Sequence, residues 1–63
     1  MSPEDFARAL GLHTIVYRRP EGPSYEFSRG GKVIALIPGR NKADWWLMGF
    51  KRGIEFAGFE AEV

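Results

Sequence analysis

Few residues of this chain have the chemistry to make or break bonds. Its single histidine, His13, stands between Leu12 and Thr14. Its serines, Ser2, Ser24 and Ser28, lie outside any Gly-x-Ser-x-Gly turn of the kind that exposes a nucleophile. A nucleophile, a base and an orienting acid must converge on one pocket, and 63 residues scarcely cover a core. A metal site needs ligands at set spacings, which one histidine, no cysteine and scattered carboxylates do not supply. Gly30-Gly31 is not followed by a helix start, so it is no phosphate cradle. Glu55, Glu60 and Glu62 fit a solubilising strand face better than an acid pair. The expectation is a protein without catalytic residues, metal, other cofactor or small-molecule substrate.

Residues suited to binding are more numerous. Trp45 and Trp46 are adjacent, and neighbours on a helix point about 100° apart, so one core face cannot take both. A helical wheel sends Trp46 with Phe50 toward a sheet and leaves Trp45 with Met48 outside, flanked by Lys42, Lys51 and Arg52. Tryptophan, methionine and arginine are the residue types enriched where proteins bind each other. Trp45, Met48, Arg52 and Trp46 are therefore candidate interface residues for a protein partner or a second copy of the chain in a homodimer. The alternative is that a following strand covers Trp45 as a second core layer.

A second set is basic: Arg18, Arg19, Arg40, Lys42, Lys51 and Arg52. Eight of the nine basic residues lie between Arg18 and Arg52, against Glu21, Glu26 and Asp44, while the last nine residues hold three glutamates and no base. A polyanion such as a nucleic acid has a basic centre to bind there. The net charge of only +1 argues against strong non-specific binding.

The elements that must position these residues follow from local signals. Ser2-Pro3-Glu4-Asp5 opens a helix with a cap, a proline at the first turn and two acids at the positive end. Phe6, Ala9 and Leu10 form its apolar stripe, and Gly11 ends it. Thr14 to Tyr17 favours a strand, and Pro20-Glu21-Gly22-Pro23 a loop. Tyr25 and Phe27 alternate with polar residues in a second strand. Gly30-Gly31 marks a tight hairpin. Val33 to Ile37 is apolar at every position, which predicts a central strand covered on both faces. Asn41, with Asp44 three residues later, caps a second helix that Gly53 closes after about three turns. Beyond it, Ile54, Phe56, Phe59, Ala61 and Val63 alternate with glutamates, with a bulge at Ala57-Gly58. That alternation favours a fourth strand. Its rival is one helix from Ala43 to Glu62, opposed by the glycines at 49, 53 and 58 at about 1 kcal/mol each. The fold class expected is α+β in a single domain over residues 1–63: a short N-terminal helix, a small antiparallel three-stranded sheet packed by a second helix, and the C-terminal fourth strand.

The size leaves stability marginal without staples, and there are no cysteines to provide them. An apolar fraction of 44% places the chain outside the disordered class. The acidic start lacks the basic opening of a signal peptide, and the longest apolar run is far shorter than the roughly 20 residues that span a bilayer. A cytoplasmic protein with no membrane contact is the expectation.

Two families are resembled. Val33 to Arg40, followed by Ala43-Asp44-Trp45-Trp46-Leu47, resembles the strand, turn and Asp-Trp-Leu segment of class-three lipases, which are α/β-hydrolases. Ile54 to Phe59 is similar to their Val-His-x-Gly-Phe segment. Arg40 stands where the family has a Thr or Ser of the oxyanion hole, and Phe56 stands at the histidine position. The nucleophile elbow would fall beyond Val63. The resemblance, over residues 33 to 63, therefore implies a hydrolase segment without its catalytic residues. The helix-strand-strand-strand-helix order resembles double-stranded-RNA-binding domains. Gly22-Pro23-Ser24-Tyr25 is similar to their Gly-Pro-x-His loop, and Arg40-Asn41-Lys42-Ala43 to the start of their last helix. That resemblance implies a phosphate contact at Lys42.

Together these readings point to a small non-enzymatic binding protein. Its size fits a compact inhibitor of bacterial or phage type, such as one directed against a host defence complex. A nucleic-acid-binding module is the alternative, and a catalytically dead hydrolase fragment a further one.

Overall fold

The computed structural model describes residues 2–61, with side chains described through residue 57. The element order is α1 (Pro3–Ala9), β1 (His13–Arg19), β2 (Gly22–Arg29), β3 (Lys32–Pro38) and α2 (Arg40–Ala61). It is the α+β class: an antiparallel sheet in the order β1-β2-β3, with both helices packed on one face.

Helix α1 is fixed at both ends by its own sequence. The Ser2 hydroxyl oxygen accepts the backbone N–H of Asp5 at 3.2 Å and donates to the Asp5 carboxylate at 3.0 Å. At the other end Gly11 sits at φ +79°, its N–H donates to the Arg8 carbonyl, and the Leu12 N–H reaches back to the Ala7 carbonyl at 2.9 Å. This pair of bonds is the Schellman closure, and it delivers Leu12 into the core. Ala7, rather than Ala9, is the buried alanine of the helix.

The strands form a meander on two tight turns. Gly30 and Gly31 both have positive φ, as the hairpin turn between β2 and β3 requires. The first turn is shorter than the sequence suggests. Only Pro20 and Glu21 lie outside the strands, and Gly22 and Pro23 already pair with Arg19 and Arg18. With both connections this short, the middle strand in sequence must be the middle strand in space. β2 is therefore central and β3 is an edge strand, contrary to the expectation from its apolar run. The run has another cause: alternate residues Ala35 and Ile37 pack toward the helices, while Val33 and Leu36 are each 53% exposed on the open face. Ile34 is the extra residue of a bulge between the Phe27–Ala35 and Ser28–Val33 pairs.

The core lies between β2 and the first half of α2. Phe27, Leu47, Ala43 and Ala7 are fully buried. An aromatic stack runs through it: Tyr25 to Phe27 at 6.4 Å, Phe27 to Trp46 at 5.2 Å, and Trp46 to Phe50 at 5.2 Å, all with nearly parallel rings.

α2 departs most from expectation. Its amino cap is Gly39, whose carbonyl accepts from Ala43 N–H at 3.1 Å, and Asn41 lies inside the first turn rather than capping it. The helix does not stop at Gly53 but runs 22 residues to Ala61. The segment read as a fourth strand with a bulge at 57–58 is helical through Ala61, and residues 62 and 63 lie outside the described residues. The strand reading failed because Ile54 and Phe56, two apart, look like one strand face but fall on different sides of a helix.

At about 1.5 Å per residue α2 is about 33 Å long, longer than the sheet it crosses. From Lys51 to Ala57 every residue is exposed. The radius of gyration is 12.6 Å, above the roughly 10.6 Å of a compact 63-residue domain. No helix among the described residues is long and apolar enough to cross a membrane.

Candidate functional site

The two tryptophans separate as the wheel requires. Trp46 turns inward, is partly buried, and stacks between Phe27 and Phe50 against the core. Trp45 is 77% exposed, and with Met48, Gly49 and Arg52 it lines an open groove of about 320 Å³ on the outward side of α2. A neighbouring opening of about 420 Å³, where Phe6 of α1 meets α2, shares Met48 and Arg52 and adds Lys51 and Glu55. Three of the four interface residues expected from sequence thus come together.

Sequence reasoning missed the continuation of this surface. Phe56, 64% exposed, lies on the same side as Trp45, as does Gly49. Lys42, Trp45, Gly49, Arg52 and Phe56 recur at steps of three, four, three and four along α2, the spacing of a helix-pairing seam. The signal was in the sequence, but reading residues 54 onward as a strand hid it.

The glycines sharpen the point. A Cβ placed on Gly49 or on Gly53 would meet nothing within 4 Å. Neither residue has a positive φ. Within the monomer, alanine would fit at both positions and favour the helix by about 1 kcal/mol each. The charges of α2 also run against its own dipole. Arg40 and Lys42 occupy a first turn without acids, and the last turn has no base. Each such placement costs a few tenths of a kcal/mol or more at low salt.

The basic residues divide into two groups. The Gly39 N–H donates to the Pro23 carbonyl at 2.9 Å, and Pro23 pairs with Arg18, so the start of α2 sits beside the β1–β2 turn. Arg18, Arg19, Arg40 and Lys42 therefore share one end of the molecule. Lys51 and Arg52 are about 14 Å further along the helix, and Lys51 already pairs with Glu55 at 3.9 Å.

His13 lies apart from both sets, in an opening between α1 and β1 lined also by Glu4, Arg8, Gly11, Leu12 and Thr14. The Thr14 hydroxyl is a buried polar atom without a partner there. Among the described residues, no three acidic, histidine or cysteine side chains are grouped to hold a metal ion.

The second exposed apolar surface is the open face of the sheet. Ile15, Val33 and Leu36 lie there beside Tyr17, whose hydroxyl donates to a Glu26 carboxylate oxygen at 3.1 Å. Losing the phenolic proton would break that bond and set two anions side by side. The bond, with some desolvation and the Glu26 charge, therefore raises the Tyr17 pKa above its ordinary value of 10.0, and Arg19 opposes the shift.

No family model, curated protein or solved structure matches this chain.

Proposed function

We propose that this chain is a non-enzymatic protein-interaction module that binds through the outward side of α2. The observation that carries the reading is Trp45, a large apolar side chain held 77% exposed on a rigid helix beside Met48 and Arg52. Burying such a residue against a partner removes a large apolar area from water at little cost in side-chain entropy. An inhibitor that acts by covering a partner's surface has the same requirement.

The test is to recover the wild-type chain and its Trp45→Ala and Met48→Ala variants from cells that express it. Co-purifying proteins, the chain itself included, are identified and their dissociation constants measured with purified components. The expected result is a partner whose dissociation constant rises at least about tenfold on Trp45→Ala. Recovery of no partner whose binding depends on Trp45 overturns the reading.

A second reading rests on the grouping of Arg18, Arg19, Arg40 and Lys42 at one end beside a helix start. It proposes a nucleic-acid contact that weakens steeply as salt rises. A gel-shift titration on duplex RNA and DNA at about 50 mM salt tests it, and absence of any shift overturns it.

A further inference from the structure

We propose that the occupant of the outward side of α2 is α2 of a second copy, packed antiparallel, with Trp45 of each chain against Phe56 of the other. The proposal rests on the interaction reading above and names its partner.

The spacing of the seam and the open space at its glycine lead to a register. The seam Lys42, Trp45, Gly49, Arg52 and Phe56 has the three-four spacing of a two-helix contact and lies nearly opposite the core side formed by Ala43, Leu47 and Phe50. When Trp45 is set opposite Phe56 of an antiparallel copy, Gly49 falls opposite Arg52. Gly49, with open space where its Cβ would be, then faces a long side chain of the second copy. Alanine would fit at Gly49 within the monomer, and in this register the missing side chain becomes a hole. Arg52 also lies one turn from Trp45 of the second copy, in reach of its ring face.

Charge chooses the direction. Arg40 and Lys42 stand at the start of α2, and Glu55 and Glu60 belong to its second half. A parallel pair would set Lys42 against Lys42. The antiparallel register brings position 60 to within one residue of the level of Lys42, on the same edge of the seam. It also lays the negative end of one helix dipole beside the positive end of the other, which offsets charges that oppose the helix's own dipole.

The length of α2 agrees. Residues 51–61 extend past the sheet, are exposed wherever their side chains are described, and include glycines at 53 and 58. A half-helix of that length and composition is marginal in water on its own. In the pair, the second half of each helix lies along the first half of the other.

Light scattering and sedimentation across about 1 to 300 µM protein test the stoichiometry. A dimer is expected, weakened at least about tenfold by Trp45→Ala and by Phe56→Ala. Gly49→Leu fills a hole, so it should increase helix content by circular dichroism while weakening the dimer at least about tenfold; this opposition excludes simple misfolding. The chain has no native cysteine, so Asn41→Cys carries a single spin label. The two labels should be about 28 Å apart along an antiparallel pair and about 10 Å apart across a parallel one. A monomer throughout the range, a Gly49→Leu dimer of undiminished affinity, or the short label distance overturns the proposal. A monomer that still binds a different protein through Trp45 overturns the second copy alone and leaves the interaction reading standing. A monomer with no Trp45-dependent partner removes both.

Discussion

Trp45 and Trp46 are the same residue one position apart, and their surroundings are opposite. Trp46 stacks 5.2 Å from Phe27 and 5.2 Å from Phe50, whereas Trp45 lies 77% exposed on the far side of the helix. Residue type cannot account for the difference, since both are large, apolar and aromatic. The helix rotation of about 100° per residue does. Only the inner side meets a sheet, so only one of two adjacent tryptophans is used within the monomer. A small domain that keeps a second apolar side of this kind retains a surface that its own core does not need.

The contrast is broken most forcefully from the inner side. Trp46→Ala removes the middle ring of the stack and leaves a cavity between Phe27 and Phe50. The expected loss of unfolding free energy is about 3 kcal/mol, read from urea denaturation. For a chain of this size such a loss is a large part of total stability. A loss below about 1 kcal/mol would mean that the core closes over the gap and that the stack is packing filler.

The same substitution one residue earlier sharpens the comparison. In protein dilute enough to be monomeric, Trp45→Ala should change unfolding free energy by no more than about 0.5 kcal/mol, because the ring touches little within the chain. The concentration matters, since association stabilises the folded state by mass action and would add its own contribution. A large loss in the dilute monomer would show that Trp45 has a packing role inside the chain, and would remove the main support for an outward contact.

The parts of the fold that could be read from sequence are those decided within a few residues. Ser2-Pro3 opens α1, Gly11 closes it, and Gly30-Gly31 turns β2 into β3, each through a local hydrogen-bonding or φ requirement. The extent of α2 was not legible for the same reason inverted. Gly53 is a common stop signal, but here φ stays negative and the helix continues, so local propensity was overridden. The place of β3 was misread because an apolar run does not say whether its outward residues are covered. The run of two-residue turns does decide it, by forcing a meander with β2 in the middle. Within the candidate site, Trp45, Met48 and Arg52 were found because they lie within two turns of helix. Phe56 was not, because the period was switched from helix to strand at residue 54, and the open space at Gly49 depends on what surrounds the helix, which local sequence does not give.

The sheet offers the same inside-outside contrast on a smaller scale, and Tyr17 measures it. On the covered face Tyr25 is buried in the stack, while on the open face Tyr17 depends on one hydrogen bond to Glu26. Because the folded pKa of Tyr17 is raised above its unfolded value, the bond contributes fully below the unfolded value of about 10 and is lost as pH rises through the folded one. Phenolate absorbance, taken as the difference between wild type and Tyr17→Phe, should therefore show a midpoint above the ordinary tyrosine value. Glu26→Gln should move that midpoint down, since the amide oxygen still accepts the bond but no longer sets a negative charge beside the phenolate. A midpoint at the ordinary value in the wild type would mean that water displaces Glu26 from Tyr17. The open face would then lack even this one fixed polar contact across its strands, and its apolar residues would stand as freely exposed as Trp45.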